Sequence, residues 1–291
     1  MSRSEGERNG KKSFLNRHCR GRHCCRRGNC AGAIANAQDL PAGIDTIKVK
    51  PASSDHPFDE IVSGWDFRSP ETQQFQKDDF DNSAFLWVEK GEELWSEADG
   101  EAGKSCQSCH DDAAETMKGV GAASPKWNEK LSKPLALEQR INLCRTENMK
   151  AKEWKWESEN MLSMTSYVRN QSRGMPVKVQ SDGPMKPWWE KGKELYYTRV
   201  GQLNMACANC HEDNYGKYIR ADHLSQGHSN GFPTYRLKWQ KLGSLHRRFS
   251  GCMKNIRAVP YKRGSEEFVA LEIYLAWRGE GLPVESPAVR Q

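Results

Sequence analysis

Cys207-Ala208-Asn209-Cys210-His211 is a C-x-x-C-H motif, and the expected architecture of the chain follows from it. On a helical turn, residues three and four positions apart share a face, so both thiols and the imidazole point at one object. C-x-x-C-H is the spacing of covalent haem attachment, in which two thiols bond to the haem and the histidine ligates its iron. The motif therefore predicts a c-type haem.

The chain contains a second copy of this motif. Cys106-Gln107-Ser108-Cys109-His110 begins 101 positions earlier. The alternatives are a zinc site and a C-x-x-C redox pair, but a structural zinc site needs four nitrogen or sulfur ligands, and the chain has no third C-x-x-C pair. We therefore expect two covalently bound haem c groups, with His110 and His211 as iron ligands.

An internal repeat surrounds the two motifs. Residues 89–95 match residues 190–196 at the same offset of 101, and residues 158–177 match residues 265–284 at an offset of 107. Apolar residues at helical spacing predict helices in these segments. Each half then runs from a helix through the haem motif and an irregular segment to a closing helix, which is the layout of a c-type cytochrome domain. We therefore expect an all-α protein of two cytochrome c-type domains related by the repeat.

Prolines and glycines mark the boundaries of these domains. Four prolines punctuate residues 38–80, which predicts an extended N-terminal arm that wraps the first domain and has little regular structure. Gly183, Pro184 and Pro187 predict a linker. The expected segments are a leader (1–37), the N-terminal arm (38–80), domain 1 with haem 1 (81–177), a linker (178–187) and domain 2 with haem 2 (188–291).

The leader is atypical. Ala35-Asn36-Ala37 matches a signal-peptidase site and positive charge precedes it, but the apolar stretch of a signal peptide is missing. We interpret residues 1–37 as a defective or misread signal peptide; a disordered basic tail is the alternative. Haem attachment in bacteria takes place outside the cytoplasm, so we expect a periplasmic protein.

The leader also accounts for the net charge of +6. Residues 1–30 hold nine Lys and Arg against Glu5 and Glu7, which leaves about −1 on the rest of the chain. A nearly neutral body lacks the basic surface that nucleic-acid binding needs. The mean hydropathy of −0.86 and the lack of an apolar run of membrane length predict a soluble protein without a membrane span.

Each motif is followed by one further cysteine, Cys144 in the first half and Cys252 in the second. Each haem iron has one axial position left after its histidine, and methionine, histidine or the lone cysteine could fill it. A thiolate would lower the haem potential, and a Cys144–Cys252 disulfide is a further alternative in an oxidising compartment. The residues alone leave these alternatives open; the other candidate ligands are Met149, Met161, Met164, His223, His228, His246 and Met253.

Two arginines, Arg247 and Arg248, precede Cys252 by five and four positions. If this segment is helical, Arg248 shares a face with Cys252. A guanidinium beside a cysteine sulfur suits an oxyanion, such as the sulfonate end of a small sulfur compound, and it favours the reactive thiolate. The alternatives are a solvated surface pair or a salt bridge to a haem propionate.

The sequence around Cys252 resembles the signature of the SoxA family, cytochromes of bacterial thiosulfate oxidation. The resemblance is carried by residues 248–258 (RFSGCMKNIRA), Pro260, residues 264–268 (GSEEF) and residues 271–278 (LEIYLAWR). It extends from about residue 39 to the last residue, and the first C-x-x-C-H motif places the chain with the dihaem members. The leader is the one departure from the family pattern.

The resemblance implies an enzyme, an L-cysteine S-thiosulfotransferase that joins thiosulfate oxidatively to a cysteine of the carrier protein SoxYZ. It also implies a heterodimer with the monohaem cytochrome SoxX, which passes electrons to an external cytochrome c. Cys252 would be the catalytic cysteine, seen in the family as a persulfide, and Arg248 would bind the substrate. The haem-binding residues carried over by motif are Cys106, Cys109, His110 and Cys144 for haem 1, and Cys207, Cys210, His211 and Cys252 for haem 2.

Two rival functions remain at this point. A simple dihaem electron carrier would use neither Cys252 nor Arg248 for chemistry, and Met253 or a histidine would complete haem 2. A haem-based sensor would show no turnover with thiosulfate.

Overall fold

Both halves of the repeat contain short and medium-length helices. The computed structural model describes residues 40–291, and the expectations for the leader 1–37 lie outside these residues. None of the helices within this range is long and apolar enough to cross a membrane. The α-helices of the described residues are α1 (Pro70–Lys77), α2 (Phe85–Ser96), α3 (Gln107–His110), α4 (Ala113–Thr116), α5 (Leu137–Cys144), α6 (Glu159–Asn170), α7 (Lys186–Tyr197), α8 (Cys207–His211), α9 (Leu245–Asn255) and α10 (Glu266–Arg278).

Short strands join these helices, so the expectation of an all-α chain holds only in part. In the described residues they form four small sheets, and the longest strands have three residues. β7 is central in the one three-stranded sheet: it pairs antiparallel with β8 and parallel with β9. The strands are β1 (Lys48–Val49) with β2 (Ile61–Val62), β3 (Lys126–Asn128) with β4 (Lys133–Leu135), β5 (Tyr218–Ile219) with β6 (Asp222–His223), and β8 (Lys241–Gly243), β7 (Thr234–Arg236) and β9 (Ala288–Arg290).

The repeated helices pack as two equivalent pairs, α2 on α6 and α7 on α10. At each crossing a glycine lies against the backbone of the partner helix. A Cβ on Gly91 would overlap the carbonyl group of Ser163, and a Cβ on Gly192 would overlap the carbonyl group of Ala270. The glycines are 101 positions apart and their partners 107, as in the sequence repeat. The sequence repeat is therefore also a packing repeat.

The structure extends this repeat to a segment in which no repeat is apparent from the amino-acid sequence. The hairpin β3–β4 and the hairpin β7–β8 have the same register at an offset of 108, and helices α5 and α9 begin at the same offset. Arg140 and Cys144 on α5 are therefore the positional counterparts of Arg248 and Cys252 on α9. The two halves thus present their lone cysteines from equivalent helices.

A shared hydrophobic core joins the halves. It combines Ala122, Ala136 and Val177 with Val269, Ile273 and Val284. Residues of the predicted linker belong to it as well, since Val179 and Met185 are buried there. The predicted linker 178–187 is therefore packed against both halves.

The N-terminal arm differs from the prediction in two ways. It contains helix α1, whose N-cap Ser69 accepts a hydrogen bond from the Thr72 N–H. Its hydrogen bonds also go mainly to the second half instead of wrapping the first. The buried side chains of Gln226 and Glu285 need polar partners, and the arm supplies them through the Val62 N–H at 2.7 Å and Gln76 Nε2 at 3.1 Å. Apart from α1 and the two-residue strands β1 and β2 the arm is irregular, as expected, but its hydrogen bonds favour the second half over the first domain that it was expected to wrap.

Candidate functional site

Two helices bring the predicted site residues of the second half together. Helix α8 carries Cys207, Cys210 and His211, and helix α9 carries Arg248 and Cys252 one turn apart. The thiol of Cys252 forms a hydrogen bond with the His211 side chain and lies close enough to Cys207 and Cys210 to affect their pKa values. The helix expected for Arg248 and Cys252 is thus present.

The His211 ring is held by the loop that follows α8. Its Nδ1 lies 2.8 Å from the carbonyl oxygen of Ser225, so Nδ1 carries the proton and donates it. In the neutral ring, Nε2 is then the unprotonated nitrogen that can ligate a metal, which is the usual arrangement of metal-binding histidines. In the charged ring, Nε2 also carries a proton and can donate it in a hydrogen bond to the Cys252 thiolate. Gly227 lies against the same ring with φ +80°, and a Cβ there would lie 2.8 Å from the ring Cγ. Neither Ser225 nor Gly227 is marked by any sequence motif.

Charge around Cys252 favours its thiolate. Burial raises the pKa of Cys252, but the Arg248 guanidinium, the hydrogen bond and charge of His211 and the charge of Arg236 together lower the pKa to about 6. The effect of Arg248 agrees with the prediction. Arg236 was missed by sequence reasoning, because it lies sixteen residues before Cys252, on β7.

The two cysteines of the C-x-x-C-H motif have the opposite character. Burial raises the pKa of Cys207 to about 12, and burial raises the pKa of Cys210 as well. Both are therefore neutral thiols at pH 7. Of the three cysteines in this cluster, Cys252 alone has a lowered pKa.

The arginine pair separates into two environments. Arg248 acts on Cys252, whereas the Arg247 guanidinium lies over the Trp239 ring, 4.1 Å from its centroid, with Nη1 3.9 Å from Glu157 Oε2. Ser244 caps the helix by accepting a hydrogen bond from the Arg247 N–H at 3.1 Å. Arg247 is thus a packing residue of α9, and Arg248 is the arginine of the site.

The other histidines proposed as axial ligands are hydrogen-bonded to other groups, whereas Met164 and Met253 pack in the same hydrophobic clusters as Cys106 and Cys207. His246 Nε2 lies 3.1 Å from Glu272 Oε2, and His228 Nε2 lies 2.9 Å from Gln226 Oε1. His223 Nε2 lies 2.9 Å from the Gly216 carbonyl oxygen. Met149, Met161 and Met164 are buried, and Met253 packs on a hydrophobic cluster of the second half.

The first half assembles a similar but weaker cluster. Cys144 ends helix α5 and lies near Cys106 and Cys109, so a disulfide with Cys252 is absent and both cysteines are free. Burial raises the pKa of Cys144, and burial raises that of Cys106 to about 11. The effects that lower the pKa of Cys144 are a hydrogen bond with the Asn148 side chain and the charge of Arg140, and burial outweighs them. The two clusters are therefore positionally equivalent but electrostatically different.

Within residues 40–291, no group of three or more His, Cys, Asp or Glu side chains is arranged to hold a metal ion. Each cluster instead offers two thiols on one helical turn with a histidine beside them, the donor set of covalent haem attachment.

Comparison with known proteins agrees with this geometry. The model of the family described as SoxA/TsdA, cytochrome c domain, matches residues 90–177 and residues 191–284. The two matched segments begin 101 positions apart and end 107 positions apart, as the internal repeat does. The chain thus contains two cytochrome c segments, which confirms the coarser part of the predicted fold.

Proteins of similar sequence carry one name. The L-cysteine S-thiosulfotransferase subunit SoxA of Pseudaminobacter salicylatoxidans is 56% identical over 241 residues, which cover 82% of this chain and 84% of the relative. The protein of the same name from Rhodovulum sulfidophilum is 50% identical over 273 residues, covering 90% of this chain and 95% of the relative.

A solved structure shares the fold. It is the crystal structure of SoxXA from P. pantotrophus, with a TM-score of 0.81 and 49% identity over 84% of this chain and 93% of that chain. The resemblance seen in the sequence is thereby confirmed, and the chain belongs to the SoxA family of c-type cytochromes.

Proposed function

We propose that this chain is the SoxA subunit of an L-cysteine S-thiosulfotransferase, which joins thiosulfate oxidatively to a cysteine of a carrier protein, SoxYZ. The observation that carries the proposal is the meeting of Cys252, Arg248 and His211 at one place. A cysteine sulfur, an anion-binding guanidinium and an iron-ligating imidazole are the groups that this reaction needs. The names of the relatives support the same activity.

The residues present fit two haem c groups. Helix α8 offers two neutral thiols one turn apart, and Ser225 leaves Nε2 of His211 available for iron. We assign Cys207, Cys210, His211 and Cys252 to haem 2, and Cys106, Cys109, His110 and Cys144 to haem 1. A haem bound beside Cys252 supplies a one-electron acceptor. The proposed domains are 81–177 and 188–291, two helical cytochrome c-like domains joined by residues 178–187.

The chain's own residues have distinct tasks in the proposed reaction. Arg248 binds the sulfonate oxygens and directs the terminal sulfur of thiosulfate toward Cys252. In the overall reaction one S–S bond forms between that sulfur and the carrier cysteine, the carrier thiol loses its proton, and two electrons leave. Ser225 holds the His211 ring so that Nε2 keeps facing the site. Catalysis thus depends on the thiolate of Cys252 and on charge held next to it.

The two electrons released in the reaction require an acceptor. We propose that the chain forms a heterodimer with the monohaem cytochrome SoxX, because the solved structure of similar fold is a SoxXA structure. SoxX would pass single electrons to an external cytochrome c. The covalent haems and the oxidised sulfur product suit a periplasmic location.

The test is an assay of the haem-loaded complex with thiosulfate, the carrier protein and an oxidised cytochrome c. We expect acceptor reduction and a carrier mass increase of one thiosulfate, and we expect Cys252→Ala to abolish both. Met253→Leu is the matched control, because Met253 is the neighbouring alternative ligand; it should keep the haem 2 spectrum and the activity.

The opposite result would support a plain electron carrier. In that case Cys252→Ala would retain full activity, and Met253→Leu would change the haem 2 spectrum. A complex that binds haem but shows no turnover in the wild type would instead favour a sensor.

A further inference from the structure

A second buried arginine lies beside Arg248 with part of its guanidinium unpartnered. Arg236 on β7 is 4% exposed; its Nε donates to the Gln291 carbonyl oxygen at 2.7 Å, and its guanidinium lies 5.1 Å from the Trp239 ring centroid. Its Nη1 is buried without a hydrogen-bond partner. Asp222 lies 3.7 Å from Nη2, beyond hydrogen-bond distance, and also pairs with Lys238 at 3.3 Å. A buried guanidinium with an unpaired N–H group is unfavourable, and a bound anion that accepts from this group would stabilise it.

The N-terminal arm adds a third arginine to the same place. Arg68 Nη2 donates to the His223 carbonyl oxygen, and its Nε is buried without a partner. Arg68, Arg236 and Arg248 are close enough to affect one another electrostatically, and Asp222 is the carboxylate that acts on both Arg68 and Arg236. Arg290 and Lys238 also carry positive charge here, and these five cations against Asp222, Glu285 and the Cys252 thiolate leave an excess of about two positive charges. The arginine cluster of Arg68, Arg236 and Arg248 therefore suits a doubly charged anion.

The first half of the chain lacks this excess, although it repeats the arginine and cysteine of the helix. Asn128 on β3 occupies the position that Arg236 occupies on β7. The arm's Arg68 is hydrogen-bonded to the second half. Arg140 and Cys144 thus reproduce Arg248 and Cys252 without the other two arginines. The two halves therefore differ in positive charge because of strand β7 and the N-terminal arm, whereas helices α5 and α9 carry the same arginine and cysteine.

We propose that Arg236, supported by Arg68, is a further substrate-binding residue that holds the doubly negative sulfur oxyanion together with Arg248, next to Cys252. This inference rests on the proposed function and names a second contact of the same substrate. Two guanidinium groups, one from strand β7 and one from helix α9, bind a dianion more strongly than one alone. They also select against neutral or singly charged thiols that could approach the Cys252 sulfur.

The experiment uses the haem-loaded complex with SoxX. Thiosulfate binding is measured by calorimetry without the carrier protein, and KM is then measured with it. Arg236→Asn installs the residue of the first half and should weaken thiosulfate binding and raise KM about tenfold or more, as expected for loss of a charge-assisted hydrogen bond. Arg236→Lys keeps the positive charge but loses the planar guanidinium that can donate two parallel hydrogen bonds. Its thiosulfate affinity and KM should therefore lie between those of the wild type and Arg236→Asn. The absorption spectrum of haem 2 should not change.

Several outcomes would overturn the proposal. Unchanged thiosulfate binding with a shifted haem 2 potential would assign Arg236 to a haem propionate. An equal loss in Arg199→Asn, an exposed arginine outside the arginine cluster, would show a general charge effect. If Arg236→Asn does not assemble, Arg236→Lys and Arg68→Gln are judged by the same criteria. Binding that depends on Arg236 in a complex without transferase activity would support the subsite and refute the proposed function instead.

Discussion

The carbonyl oxygen of Ser225 accepts a hydrogen bond from Nδ1 of His211 at 2.8 Å. This contact fixes the tautomer and the ring plane of the histidine that the motif supplies, and Gly227 two residues later makes the contact possible. The loop can approach the ring because Gly227 has no Cβ and adopts φ +80°. The orientation of the iron ligand is thus set by a loop outside the haem motif.

Gly227→Ala should therefore disturb haem 2. A Cβ at this position would lie 2.8 Å from Cγ and 2.9 Å from Nδ1 of His211, so the ring must move. We expect an altered haem 2 absorption and electron paramagnetic resonance spectrum with haem 1 unchanged. Gly216→Ala is the matched control, because Gly216 has φ +79° with no atom near its would-be Cβ. Both variants carry the backbone cost of about 1–2 kcal/mol, and equal spectral changes in both would contradict the prediction.

Gly192→Ala should weaken the second half by forcing two helices apart. Its Cβ would overlap the Ala270 carbonyl and lie 2.8 Å from Tyr274 Cβ, where the atoms are backbone or stiff. Overpacking of this kind costs about 1–3 kcal/mol, which should appear as a lower Tm of the haem-loaded protein. Gly251→Ala is the control: on α9 the added Cβ meets nothing within 4 Å and should raise helix stability slightly. A Tm unchanged by Gly192→Ala would refute the close crossing.

The sequence predicted the parts of this molecule that depend on local spacing. The haem motifs, the repeated helices around Gly91 and Gly192 and the shared face of Arg248 and Cys252 follow from three- and four-residue periodicity. A turn of helix places such residues together whatever the rest of the chain does.

The contacts between distant segments could not be predicted in the same way. Strands of three residues are too short for a repeat to be recognised in the amino-acid sequence. The positional equivalence of Asn128 and Arg236 therefore follows only from the common register of their hairpins. The docking of the arm on Gln226 and Glu285 depends on buried hydrogen bonds across more than 160 residues of sequence. Polar side chains in a proline-rich segment give no hint of their partners.

Arg248→Ala should impair the use of thiosulfate without loss of the haem. The guanidinium lies on the same helical face as Cys252, and removing a charge-assisted contact to an anion costs about 1.5–3 kcal/mol, or roughly ten- to a hundredfold in kcat/KM. Arg247→Ala is the control on the neighbouring position, since Arg247 packs on Trp239 and pairs with Glu157. Steady-state kinetics and the haem 2 spectrum of both variants check this. Loss of the spectrum in Arg248→Ala would assign that arginine to support of the haem instead.

A buried polar cluster between the halves should make stability depend on pH. Glu138 on α5 is buried near Glu272, which Arg169 and His246 contact at 3.3 and 3.1 Å. Burial, followed by the charge of Glu272, raises the pKa of Glu138 to about 7. The folded protein therefore binds a proton that the unfolded chain releases at lower pH, so this stabilisation is present below the ordinary pKa of 4.5 and is lost as the pH rises through about 7.

Glu138→Gln replaces the protonated carboxyl by a neutral group of similar shape, so its Tm should fall less than that of the wild type between pH 5 and pH 8. The measurement is thermal unfolding of the haem-loaded protein at constant ionic strength across this range. Glu101→Gln, at an exposed position, removes a carboxylate outside the cluster and should follow the wild-type curve. Parallel curves for Glu138→Gln and the wild type would mean that Glu138 is ionised in the folded protein. Arg169 and His246 would then hold two carboxylates between the halves instead of one.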